Sequence, residues 1–260
     1  MTTFNWNAQD YAANATAQAG WAASVLPRLA LRGDERILDI GCGNGAITAQ
    51  LAAQVPQGVV VGMDASPAMV ALARASHTAP NLSFIQGDAQ ILPTPGPFDW
   101  AFSNAALHWV PDHRAMLTAL HPRMAPGGRL LFSFGGHGNA AAMVQAIEAK
   151  RRAPRWRGYF DDFSFAYTFP EAGPYRALLE QCGWIPESVA LVPKAMRHDR
   201  AGLAGWIRTT WLPWVSRIPT GQVEDFVGGV IDHYCRDFPA DEQGIITVAM
   251  CRLEALARVG

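Results

Sequence analysis

The feature that most constrains this chain is the run Asp39-Ile40-Gly41-Cys42-Gly43-Asn44-Gly45, which directly follows the apolar residues Ile37 and Leu38. Glycine is required where the backbone takes a positive φ or approaches a ligand with no Cβ in the way. Three glycines at alternate positions after an apolar run therefore predict a strand that breaks into a tight turn. The residues from Ala46 to Ala53 are good helix formers, so the turn leads into a helix N-terminus.

A second acid, Asp64, lies 25 residues beyond Asp39 and follows the strand-like run Val59-Val60-Val61-Gly62-Met63. This is the layout of a βαβ unit in which the second acid hydrogen-bonds a ribose. A dinucleotide site reads Gly-x-Gly-x-x-Gly and places a pyrophosphate at the helix N-terminus. Here the spacing is Gly-x-Gly-x-Gly, with an acid two residues before the first glycine. The spacing therefore disfavours a nicotinamide-dependent oxidoreductase.

Up to Phe134 the chain alternates short apolar strands with helical segments, which predicts a parallel sheet with helices on both faces. Ser66-Pro67 indicates a helix start, with serine at the N-cap and proline at the first helical position. A third strand ends before Gly87-Asp88-Ala89, and a fourth ends at Asn104. A Pro126-Gly127-Gly128 turn precedes the fifth strand.

Beyond Phe134 the pattern changes to helical segments rich in aromatic residues, with a sixth strand predicted from Trp184 to Val192 and a seventh from Gly244 to Leu253. The predicted fold is α/β, a Rossmann-like, seven-stranded, doubly wound sheet with a mainly helical cap. We predict four regions: an N-terminal helical lid segment at 1–35, the core at 36–136, a cap with an interleaved core helix and strand at 137–242, and the final core strand at 243–260.

Composition narrows the function classes. The 21 basic and 22 acidic residues leave no basic excess that would attract nucleic acid. The four cysteines are scattered without metal-ligand spacing, so we predict no metal site. No stretch approaches the ~18 uninterrupted apolar residues of a membrane span. We therefore expect a cytoplasmic monomer or homodimer that acts on a small molecule, with no nucleic-acid or membrane partner.

The pattern acid-x-Gly-x-Gly-x-Gly resembles the first motif of the class I S-adenosylmethionine (SAM) methyltransferases. Further acids and an asparagine follow in the order of that class, and an acid near the turn suits the cationic amine of SAM. The resemblance implies SAM as the cofactor. It also implies a set of cofactor-binding residues in the core: Asp39, Gly41, Cys42, Gly43, Asp64, Ala65, Met69, Asp88, Ala89 and Asn104.

A narrower resemblance, to the trans-aconitate 2-methyltransferase family, extends over nearly the whole chain. Members of that family methylate a carboxylate of a small acid, and their N-terminal segment closes over the methionine end of the cofactor. Where the family tends to carry an arginine before a Pro-Trp pair, this chain has Leu212. The motifs that carry the resemblance are Trp6-Asn7 with Tyr11, Ser66-Pro67-Ala68-Met69, and the stretch from Asn104 to His113, and the implied lid residues are Trp6, Tyr11 and Gln18.

Two enzymatic hypotheses follow from this resemblance. A carboxylate acceptor is already a nucleophile at pH 7, so holding it in line with the methyl group is sufficient. For a phenolic or other acceptor that needs deprotonation, His108 is the candidate base. Otherwise His108 packs in the wall of the site and positions the acceptor. A non-enzymatic alternative is a regulatory protein that binds SAM.

The acceptor is expected to meet aromatic side chains and an arginine. Small-molecule sites are mostly apolar with a few placed polar groups, and a guanidinium binds a carboxylate through two hydrogen bonds. Each aromatic residue has an alternative role in attaching the cap to the core. The candidate acceptor-binding residues are Trp109, Trp156, Arg208, Trp211 and Trp214.

Overall fold

The computed structural model describes residues 23–165 and 167–260. These fall into two compact units. The sheet unit contains residues 23–137, 167–192 and 252–260, and the helical unit contains residues 138–165 and 193–251. The predicted lid residues Trp6, Tyr11 and Gln18 lie outside the described residues, so their roles stay predictions.

Seven strands form one mixed sheet in the spatial order β3-β2-β1-β4-β5-β7-β6. Strands β3, β2, β1, β4 and β5 pair in parallel, and β7 pairs antiparallel with β5. This confirms the predicted seven-stranded, doubly wound α/β sheet. The strands are β1 (Arg36–Ile40), β2 (Val59–Asp64), β3 (Leu82–Gln86), β4 (Phe98–Asn104), β5 (Met124–Gly135), β6 (Trp184–His198) and β7 (Ile246–Val259).

Of the α-helices that lie wholly within the described residues, four belong to the sheet unit and four to the helical unit. In the sheet unit they are α1 (Ala46–Gln54), α2 (Pro67–Ser76), α3 (His113–Leu120) and α5 (Ala172–Gln181). In the helical unit they are α4 (Ala141–Arg151), α6 (Arg200–Thr210), α7 (Leu212–Val215) and α8 (Val223–Tyr234).

The central strands are buried on both faces, which is why they appear in the sequence as apolar runs without alternation. Leu38 packs in one hydrophobic cluster with Leu130. Its neighbour Ile37 packs on the other face with Leu51 and Leu131. Apolar side chains therefore fill the middle of the sheet. The polar side chains lie at the carboxyl ends of the strands, where open α/β sheets bind ligands.

Several predicted strand boundaries differ from the structure. Strand β6 continues to His198, past its predicted end at Val192. Strand β7 continues past the predicted end at Leu253, because it stays paired with β5 as far as Arg258, which lies opposite Arg129. The predicted turn at Gly127 lies inside β5, where this residue has a φ of 72°. The register with β4 shifts there, so the glycine forms an irregularity within the strand and does not begin it.

In the helical unit, α8 packs against α4 and α6. Its buried side chains recur at helical spacing, so a single apolar face makes the contact. Trp214 is fully buried, and its indole Nε1 donates a 3.1 Å hydrogen bond to Glu148 of α4. Over the two described stretches of the chain, none of the helices combines the length and the apolarity needed to cross a membrane.

Candidate active site

The turn between β1 and α1 forms at the carboxyl end of the sheet, as the glycine spacing predicts. The amides of Gly41 and Cys42 both donate to the carbonyl of Met63 on β2, at 2.7 and 3.0 Å. Gly41, Gly43 and Gly45 have φ values of 77°, 54° and 79°. This is the left-handed region that glycine enters without a steric cost.

Two of these glycines are also required because the space around them is filled. A Cβ at Gly41 would overlap the Cβ of Ala106, which follows β4. A Cβ at Gly45 would lie 2.6 Å from the ring of Phe84 on β3. The turn is therefore packed closely against the ends of its neighbouring strands, which fixes the course of its backbone.

Asp64 joins this turn to the next one. Its Oδ2 accepts a 2.9 Å hydrogen bond from the amide of Gly43, and its Oδ1 accepts one of 2.8 Å from the amide of Ser66. Ser66 caps α2 by accepting from the amide of Met69 at 3.4 Å, so its predicted role as N-cap is confirmed. Each carboxylate oxygen keeps a second lone pair for a ligand hydroxyl.

Asp39 is a buried acid below the turn. Its Oδ2 accepts a 2.7 Å hydrogen bond from the hydroxyl of Thr48 on α1. Burial raises the pKa of Asp39 to about 7, and the negative charge of Asp64 adds to the increase, while the hydrogen bond from Thr48 opposes it. Since burial penalises the charged form, a cation bound nearby would stabilise the carboxylate.

A third acid follows β3, which lies next to β2 in the sheet. The side chain of Asp88 accepts a 2.8 Å hydrogen bond from the amide of Gln90, which orders the loop after the strand. Ala89 packs against the main hydrophobic cluster. Because β1, β2 and β3 are parallel, the three acids share one edge of the sheet.

The chain turns sharply at the end of β4. Asn104 is the last residue of the strand and is buried. Ala105 then adopts a left-handed φ of 58°, and its amide donates a 2.8 Å hydrogen bond to the carbonyl of Ser133 on β5. A non-glycine residue in this region costs free energy, and such strain is concentrated at functional sites. The turn leads into a single 3-10 turn at Leu107–Trp109.

His108 is buried within an aromatic group of the sheet unit. Its ring lies 5.6 Å from the ring of Tyr167, between centroids, and Trp109 makes an edge contact with the same tyrosine at 4.6 Å. The Nδ1 of His108 accepts a 3.5 Å hydrogen bond from the amide of Gly135, which assigns the proton to Nε2. Burial and the neighbouring positive charge of Arg252 lower the pKa of His108 to about 3.

A second histidine supports this turn. His113 begins α3, and the structure buries it. Its Nε2 lies 3.0 Å from the carbonyl of Leu107, so this nitrogen carries the proton, and its Nδ1 accepts from the hydroxyl of Tyr175 at 3.2 Å. Burial lowers the pKa of His113 to about 4, which keeps the ring neutral.

Arg252 lies beside this end of β4, and no sequence motif predicted it there. It is 2% exposed and lies opposite Gly135 in the β5–β7 register. Its Nη2 donates to the Ser133 carbonyl and, at 3.4 Å, to Oδ1 of Asn104, and its Nε donates to the Ser133 hydroxyl at 3.4 Å. The available signal was that Arg252 is the single charged residue of the predicted strand from Gly244 to Leu253.

The other candidate acceptor residues lie in the helical unit. Trp156, Trp211 and Trp214 are buried, and the last two pack edge to face with ring centroids 5.5 Å apart. Arg208 is partly exposed and forms an ion pair with Glu224 at 3.2 Å. Aromatic packing explains the burial of the three tryptophans, and a role of these four residues in acceptor binding stays a prediction.

The acids and the glycine turn fit a ligand that carries hydroxyl groups and a cationic amine. Asp64 and Asp88 supply hydrogen-bond acceptors, and the buried Asp39 gains from a nearby positive charge. The turn from Asp39 to Gly45 contains no basic side chain of the kind that binds phosphate. This donor and acceptor set suits SAM.

Comparisons with known proteins agree with this reading. Residues 37–128 match the model of a methyltransferase domain family. The chain is 38% identical to a trans-aconitate 2-methyltransferase of Methylobacterium nodulans, with 98% of each chain covered. It is 33% identical to one of Deinococcus radiodurans, with 91% of this chain and 92% of that one covered.

Solved structures show the same fold. A methyltransferase of Bacillus halodurans matches with a TM-score of 0.63 at 20% identity, covering 91% of this chain and 97% of that one. An N-methyltransferase of Haemonchus contortus, in complex with S-adenosylhomocysteine, matches with a TM-score of 0.57 at 16% identity, covering 92% of this chain and 52% of that one.

The fold and the cofactor site define a class I SAM-dependent methyltransferase. Within that class, the relatives just described narrow the assignment further, because they align along almost the entire chain. The chain belongs to the trans-aconitate 2-methyltransferase family.

Proposed function

We propose that this methyltransferase transfers the methyl group of SAM to a carboxylate oxygen of a small organic acid. Relatives at 33% and 38% identity are trans-aconitate 2-methyltransferases, which supports an acid as the acceptor. The residues around His108 support the same class of acceptor on independent physical grounds.

The observation that carries the proposal is the state of His108. A general base needs an available lone pair and a pKa near the working pH. The Nδ1 of His108 accepts from Gly135, its Nε2 carries the proton, and its pKa lies near 3. His108 is therefore a hydrogen-bond donor and a weak base. A carboxylate is ionised at pH 7 and needs no base.

When bound, SAM supplies an electrophilic methyl group on its sulfonium. The chain contributes orientation, which can account for a large part of the barrier reduction when two reactants are held in line. The packed glycines fix the turn after β1. Asp64 accepts hydrogen bonds from the amides of Gly43 in that turn and of Ser66 at the start of α2. Asn104 ends β4 directly before Ala105, whose left-handed backbone turns the chain at this edge of the sheet.

Calorimetry with SAM, followed by an acceptor screen, tests the proposal. The screen contains trans-aconitate, citrate, tricarballylate and succinate as acids, and a set of simple phenols as base-requiring acceptors. Release of S-adenosylhomocysteine with the acids, and not with the phenols, is the expected result. Turnover of phenols alone would overturn the proposal, and SAM binding without turnover of any acceptor would favour a regulatory protein.

A further inference from the structure

We infer that Gln90 is a positioning residue for the recognition of the cofactor. Its side-chain amide holds the carboxylate of Asp88 in the orientation that accepts a hydrogen bond from the amino group of the adenine ring. This inference goes beyond the proposed function, because it concerns the base of SAM and applies with any methyl acceptor. Both residues lie in the sheet unit, in the loop between β3 and β4.

The order of the acids along the sheet matches the order of the groups in SAM. Asp39, Asp64 and Asp88 lie near the carboxyl ends of β1, β2 and β3, which are neighbours in the sheet. SAM joins its methionine part to a ribose and the ribose to adenine. With the cationic amine near Asp39 and the ribose hydroxyls at Asp64, the acid that corresponds to the base is Asp88. Adenine offers its amino group as the hydrogen-bond donor.

The backbone at Asp88 is fixed relative to Asp64. The amide of Gly87 donates a 3.0 Å hydrogen bond to the carbonyl of Asp64. The carbonyl of Asp88 accepts hydrogen bonds from the amides of Ile91 and Leu92 at 3.0 and 2.9 Å. These main-chain contacts determine where the side chain of Asp88 begins, but they do not determine the rotation of its carboxylate.

Gln90 sets that rotation. Its main-chain amide donates to Oδ1 of Asp88 at 2.8 Å, and its side-chain Nε2 lies 3.3 Å from both Oδ1 and Oδ2. A carboxylate only accepts hydrogen bonds, so the NH₂ end of the Gln90 side chain must face it. Both residues are partly exposed, which is compatible with access by a ligand.

The same contacts identify the oxygen that meets the base. Oδ1 of Asp88 accepts from two groups of Gln90, whereas Oδ2 accepts from Nε2 alone among the described residues. Oδ2 therefore keeps a lone pair for the amino group of adenine. An acceptor that is already oriented loses less conformational freedom on binding than one that rotates. Removal of Gln90 should consequently weaken the binding of ligands that carry the amino group and spare those that lack it.

The test measures the Kd of two ligands by calorimetry. One is S-adenosylhomocysteine, and the other is its deamino analogue, in which hydrogen replaces the amino group of the base. The proteins are wild type, Gln90→Leu, Gln90→Glu, Asp88→Asn and the double variant of Asp88→Asn with Gln90→Leu. Gln54→Leu is the matched control, since Gln54 is an exposed glutamine whose Nε2 donates to a main-chain carbonyl, that of Gln50. Thermal unfolding verifies that each variant is folded.

Wild type should prefer S-adenosylhomocysteine over the deamino analogue about 10- to 100-fold, as for a hydrogen bond to a charged group. Gln90→Leu should reduce this preference about 3- to 10-fold, the scale of one ordinary hydrogen bond, and change the Kd of the deamino analogue less than about 2-fold. Gln90→Glu replaces the donor by a second carboxylate, so it should reduce the preference at least as far, even if the leucine variant fails to fold.

The double variant tests whether Gln90 acts through Asp88. Asp88→Asn should remove most of the preference, because one of the two acceptor oxygens becomes a donor. Adding Gln90→Leu to it should then reduce the preference no further, as expected for two residues in one hydrogen-bond network. Gln54→Leu should match wild type with both ligands.

Three results would overturn the inference. Equal weakening of both ligands in Gln90→Leu would mean that Gln90 supports the loop without orienting the carboxylate. An unchanged preference in both Gln90 variants would mean that it has no such role. Equal affinity of wild type for the two ligands would mean that Asp88 does not meet the amino group. Each of these results leaves the proposed function standing, and an acceptor screen that finds only phenols would overturn that function and leave these binding results unaffected.

Discussion

The hydroxyl of Thr48 on α1 donates a 2.7 Å hydrogen bond to Oδ2 of Asp39, a buried acid near the end of β1. This contact fixes the rotamer of the carboxylate below the glycine turn. It also favours the charged form of an acid whose burial favours the neutral one. Asp39 is thus held close to the midpoint of its titration at neutral pH.

The first prediction concerns the pH dependence of cofactor affinity. The pKa of Asp39 is raised to about 7, so its carboxylate forms as the pH rises through that value. A cationic amine binds the ionised form more tightly, and SAM affinity should therefore increase between pH 6 and pH 8. Calorimetry across this range measures the effect. Thr48→Val should move the inflection to higher pH, and Asp39→Asn should remove it; an inflection that persists in Asp39→Asn would refute the assignment.

A matched pair of glycine variants tests the packing of the turn. Gly41 and Gly127 have nearly the same φ, 77° and 72°, but a Cβ at Gly127 meets nothing within 4 Å, whereas one at Gly41 overlaps Ala106. Gly127→Ala should cost about 1 to 2 kcal/mol for the left-handed backbone. Gly41→Ala should cost about 1 to 3 kcal/mol more for the overlap.

Denaturant unfolding and the Kd of SAM are the measurements for this pair. Only Gly41→Ala should weaken SAM binding, because only Gly41 belongs to the cofactor turn. Equal effects of the two substitutions on both quantities would show that the contact with Ala106 has no consequence.

Replacing His108 tests the absence of a general base. His108→Gln keeps a hydrogen-bond donor, so kcat with a carboxylic acid should fall by less than about 10-fold, whereas loss of a general base typically costs about 100- to 10,000-fold. Between pH 6 and pH 8 the kcat of wild type should show no inflection from this residue, since its pKa lies near 3. A loss of 100-fold or more at unchanged SAM affinity would restore His108 as a base.

The fold should lose stability in acid partly through His113. Its pKa is about 4 in the folded protein against the usual 6.5, so the unfolded chain binds the proton first. Folding stability therefore decreases as the pH falls from 6.5 towards 4. His113→Gln removes this effect, and the stability advantage of wild type should shrink by about 2 kcal/mol between pH 7 and pH 4.5. A constant difference across that range would mean that His113 titrates normally.

Local patterns predicted the backbone around the proposed cofactor site well. The glycine turn, the cap at Ser66 and the end of β4 at Asn104 each depend on a few adjacent residues, and the structure places them as expected. Side-chain preferences at turns and helix starts act over short distances, so a single sequence contains them.

Contacts between distant parts of the chain were not predicted, because they depend on strand pairing that a single sequence does not show. The contact between Arg252 and Asn104 joins residues 148 positions apart, and it exists because β7 pairs with β5 in one register. A strand pattern predicts the strand but not its register. The burial of His113 likewise depends on Tyr175, 62 positions away. The contacts of Arg252 and of His113 could therefore not be predicted from the sequence.

The central claim, methyl transfer from SAM to a carboxylate, is tested most directly by the bond in the product. Wild-type enzyme is incubated with SAM labelled in its methyl group and with the acid panel, and the labelled product is isolated and treated with mild base. A methyl ester is hydrolysed under these conditions, whereas a methyl ether or a methylamine survives. We predict labelled acids that lose the methyl group to base; a labelled product that resists base, or no labelled acid beside a labelled phenol, would contradict the claim.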